Sequence, residues 1–123
     1  MNDQLEAVLD IQRLESLVDE IGDRDLVRQA VQAFIAEVPD RLAGIRIALA
    51  GGEADEVRSA AHALGSPAAM LGAVAVRSTT RAMQDAATEG RLGDASALYE
   101  AVVSATAQTE AAMHAYLDSP SPF

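Results

Sequence analysis

Two histidines, His62 and His114, are the only imidazoles in this sequence of 123 residues, and it contains no cysteine. Imidazole titrates near pH ~6.5 in water, so at neutral pH it offers an unprotonated nitrogen as nucleophile, base or metal ligand. The spacing argues against metal chemistry. There is no H-x-x-x-H or Glu-x-x-His pair, and without Cys there is no thiolate zinc site or thiol catalysis. No Gly-x-Ser-x-Gly turn presents a serine nucleophile. His114 lies near the end of the last helical stretch, where an imidazolium would simply complement the helix dipole. His62 is left, and what it can do is accept a group from an activated donor.

The stretch around it, Val57 to Ala73, reads VRSAAHALGSPAAMLGA. Val57, Ala61, Leu64, Ala68 and Leu71 recur at helical spacing and make an apolar stripe. At ~100° per residue His62 falls about 130° from the middle of that stripe, which predicts a solvent-facing imidazole. Asp55, Arg58, Gly65, Ser66 and Ala69 share its outer face. Towards the C-terminus these neighbours are all small, so the imidazole should stand clear on a docking surface formed by Gly65, Ser66 and Ala69.

The elements that must hold this stretch are helical. Hydrophobic residues make up 50% of the chain but aromatics only 3%, with no Trp. Such an Ala-, Leu- and Val-rich core favours closely packed helices over a sheet. The length suits a single domain, 1–123, with its core over about 11–117. Periodicity predicts a short helix from Ile11 to Ile21, then a long one from Leu26 to about Ala50, capped by Asp23 or Asp25. Its apolar face crosses Pro39 in register, so one bent helix is expected there. The His62 helix follows Gly51-Gly52, with Pro67 kinking it without ending it. A fourth helix is predicted from Ala73 to Glu89. A fifth, capped by Asp94, should run to about Leu117, leaving 118–123 as a frayed end. At the start of the chain Leu5, Val8 and Leu9 are candidate anchors. Short connections between four long helices imply an all-α, antiparallel up-down four-helix bundle with a short additional N-terminal helix.

The net charge of −10, with all nine basic residues Arg, repels phosphate backbones and anionic lipid. Nucleic acid and membrane are therefore poor partners. No apolar run approaches the ~20 residues of a membrane span, and no charged-then-apolar leader opens the sequence. A soluble, cytoplasmic, monomeric protein is expected.

With these residues in view, the sequence AHALGSPAAMLGA resembles the signature of histidine phosphotransfer (HPt) domains, commonly written A-H-x-L-K-G-S-S-x-x-L-G-A. Ala61, His62, Leu64, Leu71, Gly72 and Ala73 match without a gap. The resemblance spans roughly residues 11 to 110. It implies a phosphocarrier, not an autonomous enzyme, in which the histidine takes a phosphoryl group on Nε2. The donor and acceptor would be aspartates of response-regulator receiver domains, including those of hybrid histidine kinases. No cofactor is implied on this chain, since the receiver brings the Mg²⁺.

Two departures follow. The family's Lys three residues after the histidine is Gly65, and the Gly after it is Ser66. Arg58, one turn before His62, is the candidate replacement cation, and Ser66 a further neighbour of the phosphoryl group. Arg58→Ala should then slow transfer, and Gly65→Lys should partly restore the rate in that background. Pro67 is the second departure. The competing reading is an HPt-like binding module that docks a receiver or kinase domain without carrying phosphate.

Overall fold

The computed structural model describes residues 8–119, and every regular element in that span is a helix. These are α1 (Ile11–Ile21), α2 (Arg24–Gly51), α3 (Ala54–Met70), α4 (Val74–Thr88), α5 (Leu92–Ala97) and α6 (Tyr99–Asp118). Helices α2, α3, α4 and α6 form an antiparallel up-down four-helix bundle, each packed on the next, with α6 closing back on α2. The most extensive packing is between α3 and α4. The short helix α1 leans on α2, as the additional N-terminal helix was expected to do.

Asp23 is the cap of α2, its carboxylate accepting from the N–H groups of Asp25 and Leu26 at 2.9 and 3.3 Å. Asp25 lies in the first turn, where its charge meets the positive end of the dipole. The helix runs through Pro39, which faces solvent, so the lost hydrogen bond opens to water and not into the core. Likewise α3 runs unbroken through Pro67, and Ser66 does not start a new helix.

The core is built from Val27, Val31, Phe34 and Ile45 of α2, Val57, Ala61, Leu64 and Ala68 of α3, and Val76 and Met83 of α4, closed by Val102 and Met113 of α6. Three threonines are buried with them. Each hydroxyl donates to a carbonyl of its own helix: Thr80 to Val76 at 2.8 Å, Thr106 to Val103 at 2.7 Å and Thr109 to Ala105 at 2.7 Å. These bonds meet the polar group's need without a partner helix, so the residues pack almost as valines.

The last helix departs from expectation. It begins at Leu92, and Asp94 is not its cap but sits in the first turn, where its carboxylate takes a 2.7 Å ion pair from Arg91. It also divides at Leu98, whose N–H is shared between the carbonyls of Asp94 and Ala95 at 3.2 Å each. Leu98 keeps a right-handed backbone, so the buried stripe of Ala95, Val102, Thr106 and Thr109 continues across the hitch. Asp118 ends α6 instead of starting a tail.

At the other end of the sequence Leu9 is buried and Val8 packs on the core, while Leu5 and residues 120–123 lie outside the described residues. The chain entering α1 is fastened to the α3–α4 turn. Asp10 N–H donates to the Gly72 carbonyl at 2.7 Å, and Arg13 Nε donates to the Met70 carbonyl at 3.2 Å. Gly72 has φ +76°, and a Cβ there would stand 2.8 Å from the Asp10 carbonyl oxygen. Only glycine fits both the conformation and the approach. Further along, Arg24 grips Glu15 with two hydrogen bonds of 2.9 and 2.7 Å, and the Tyr116 hydroxyl donates to Glu15 at 3.3 Å. None of the described helices is long and apolar enough to cross a membrane.

Candidate functional site

His62 is carried on the middle of α3 and is exposed, because Ala61 and Leu64 on either side take the core-facing positions. Ser66 and Ala69, one and two turns further on, are exposed with it. Gly65 is not. It was expected on the same open face, but it is buried against α4, where a Cβ would collide with Thr80 Oγ1 and lie 3.6 Å from Gln84 Nε2. The stretch of small residues therefore serves two ends. Gly65 lets α3 and α4 approach closely, and only Ser66 and Ala69 are left on the surface beside the imidazole.

Arg58 is also committed. Its guanidinium Nη2 lies 2.9 Å from Asp55 Oδ1, on the same helix, with the Arg58 side chain 45% exposed. A new anion at His62 would have to compete with that carboxylate. Such an exposed pair contributes ~0.2–1 kcal/mol, so the competition is possible.

The solvent side of the α3–α4 groove is completed from α4. Gln84 is half-buried beside Gly65, and the exposed Arg77 and Arg81 precede it on the same stripe at i, i+4 and i+7. On the other flank, between α2 and α3, there is an apolar cleft of about 190 Å³ lined by Ala33, Phe34, Leu64, Pro67 and Met70. Met70 is 60% exposed at its edge. His114 is exposed on α6 and borders the α2–α6 groove with Arg28 and Asp118, across the bundle from His62. Among the described residues no cluster of His, Asp or Glu is arranged to hold a metal ion.

The family model described as "Hpt domain" matches residues 29–118, which is most of the chain and includes His62 and its groove. The chain belongs to the Hpt domain family. A solved Hpt structure, the crystal structure of histidine-containing phosphotransfer protein B (HptB) from Pseudomonas aeruginosa PAO1, is similar with a TM-score of 0.81 and 25% sequence identity. The similarity covers 89% of this chain and 93% of that one. Comparison with curated protein sequences gives no match.

Gln84, Arg81 and Met70 are members of the His62 surface that the sequence reading left out. Met70 could have been found, since it lies two turns beyond His62 on an exposed arc of the same helix. Gln84 and Arg81 could not, because their place depends on the register of α4 against α3, which brings Thr80 and Gln84 opposite Gly65.

Proposed function

We propose that this Hpt domain is a phosphocarrier, accepting a phosphoryl group on His62 from the phospho-aspartate of one receiver domain and passing it to the aspartate of another. The observation that carries the reading is the exposed imidazole of His62, inside the residues that the family model matches and in the stretch that resembles the family's motif, on a helix face where its C-terminal neighbours are Ser66 and Ala69.

In the forward step the Nε2 lone pair of neutral His62 attacks phosphorus. The N–P bond forms as the aspartyl O–P bond breaks, the carboxylate leaves with its electron pair, and the Nδ1 proton stays where it was. The reverse sequence returns the group to a second aspartate. A Mg²⁺ held by the receiver would offset charge on the phosphoryl oxygens, and this chain would supply the nucleophile and the docking surface. The apolar cleft beside Met70 and the exposed Ala69 provide that surface, and Ser66 lies within the phosphoryl group's surroundings. The domain works as a monomer on receiver domains, free-standing or within hybrid kinases.

Phos-tag electrophoresis after incubation with phosphoramidate, and separately with phosphorylated receivers, tests this. Wild type and His114→Gln should be labelled, and His62→Gln should not, with its helical content and melting temperature nearly unchanged because the site is exposed. Labelling of His62→Gln equal to wild type would move the site elsewhere. A wild-type protein that binds receivers but takes no label would be a docking module instead.

A further inference from the structure

We infer that Arg77 and Arg81 form a basic docking stripe that steers the acidic phosphoryl-bearing face of a receiver domain onto His62. The inference rests on the phosphocarrier reading and adds how the partner is recognised.

The difficulty for any acidic partner is the charge of this molecule, −10 over 123 residues. A receiver presents a carboxylate cluster where it holds Mg²⁺ and the phospho-aspartate, so the two proteins repel at long range unless a local field opposes the global one. The α3–α4 groove has such a field. Its core side is filled by Ala61, Leu64, Val76, Thr80 and Met83, all buried. The exposed residues bordering it must therefore lie on its solvent side, among them His62, Ser66 and Ala69 from α3 and Arg77 and Arg81 from α4. Five of the nine arginines are in ion pairs with their own helix or a neighbour; Arg77 and Arg81 form none among the described residues.

Two like charges one turn apart repel, by a few tenths of a kcal/mol on an exposed helix. Nothing in the packing requires either, since both point to solvent. The acidic groups on the two helices of the groove are Asp85, one turn beyond Arg81, and Asp55, already held by Arg58, and both lie towards its far end from Arg77. At the near end, Asp10 is occupied as the cap of α1 and Glu20 is paired with Arg13, whose Nε donates to the Met70 carbonyl. A partner docking on Ala69 and Met70 would thus meet the two free guanidinium groups first. Helical side chains lean towards their own N-terminus, which carries Arg77 and Arg81 away from His62 and towards that docking end. The stripe is placed to guide a partner, not to cradle the phosphoryl group.

The test uses the receiver domains encoded by the same genome, each expressed singly and loaded with acetyl phosphate, and follows transfer to the full chain by rapid quench. With the receiver that transfers fastest, the double variant Arg77→Glu/Arg81→Glu should react roughly tenfold more slowly at low ionic strength and lose the rate's fall with added salt. Arg77→Gln/Arg81→Gln should fall between it and wild type. Labelling of His62 by phosphoramidate, which needs no docking, should be unchanged in both. Transfer within about twofold of wild type in both variants, or equal slowing by Gln and Glu, would overturn the steering while leaving the phosphocarrier reading intact. Failure of phosphoramidate to label wild type would overturn that reading itself, and label from phosphoramidate but from no receiver would remove the partner class and the steering with it.

Discussion

Thr80 holds its hydroxyl against its own helix, 2.8 Å from the Val76 carbonyl and 3.2 Å from that of Arg77, so it has little freedom to make room for a side chain at position 65. Gly65→Ala and Gly65→Lys should each lower the stability by ~1–3 kcal/mol in denaturant unfolding, the usual cost of overfilling a packed contact. Thr80→Ala in the Gly65→Ala background should recover much of the loss, because the two positions share one space. Gly65→Ala as stable as wild type would mean that α3 and α4 are not held this closely. The family's lysine cannot then be restored at this position without disturbing the bundle, contrary to the expectation drawn from the motif. The exposure of His62 was legible from the phase of its own helix. The burial of Gly65 was not, since it depends on which α4 residue lies opposite.

Among the elements, α1 is held by Leu14 and Leu17 in the core and by a few polar contacts, one of which titrates. The hydrogen bond from Arg24, and to a lesser degree its charge and the Tyr116 hydroxyl, hold the Glu15 carboxyl below the ordinary carboxylate value of 4.5, against the opposing effect of partial burial. In the unfolded chain that restraint is absent. The contribution of Glu15 is thus complete above the unfolded value and is lost as the pH falls through the lowered folded one. Glu15→Gln should melt a few degrees below wild type at neutral pH, and the two curves should converge in acid; a difference independent of pH would show that the pair does not act through its charge. The helices themselves were largely readable, because apolar periodicity marks them directly. Pro39 and Pro67 did not interrupt that periodicity, and neither did Leu98, which is why two continuous helices were anticipated correctly and one divided helix was not. The hitch at Leu98 is a change of hydrogen-bond partner with no change of face.

For the molecule as a whole, the bundle followed from the short connections: neighbours in sequence had to lie antiparallel in space. What no local pattern revealed was the full seat of α1, because two of its fastenings are far away along the chain. Arg13 meets Met70 across 57 residues, and Glu15 meets Tyr116 across 101. Ordering so long a loop yields nothing until its distant end is in place. The α3–α4 hairpin, with Gly65 against Thr80 and a three-residue connection, has no such delay. Native-state hydrogen exchange should therefore find the amides of Leu14 and Leu17 opening well below the free energy of those of Leu64 and Met83, and equal protection of the two sets would refute this order. During synthesis the consequence is a staged seating. Glu15 can take Arg24 as soon as α2 follows α1, but its further hydrogen bond waits until α6 has supplied Tyr116.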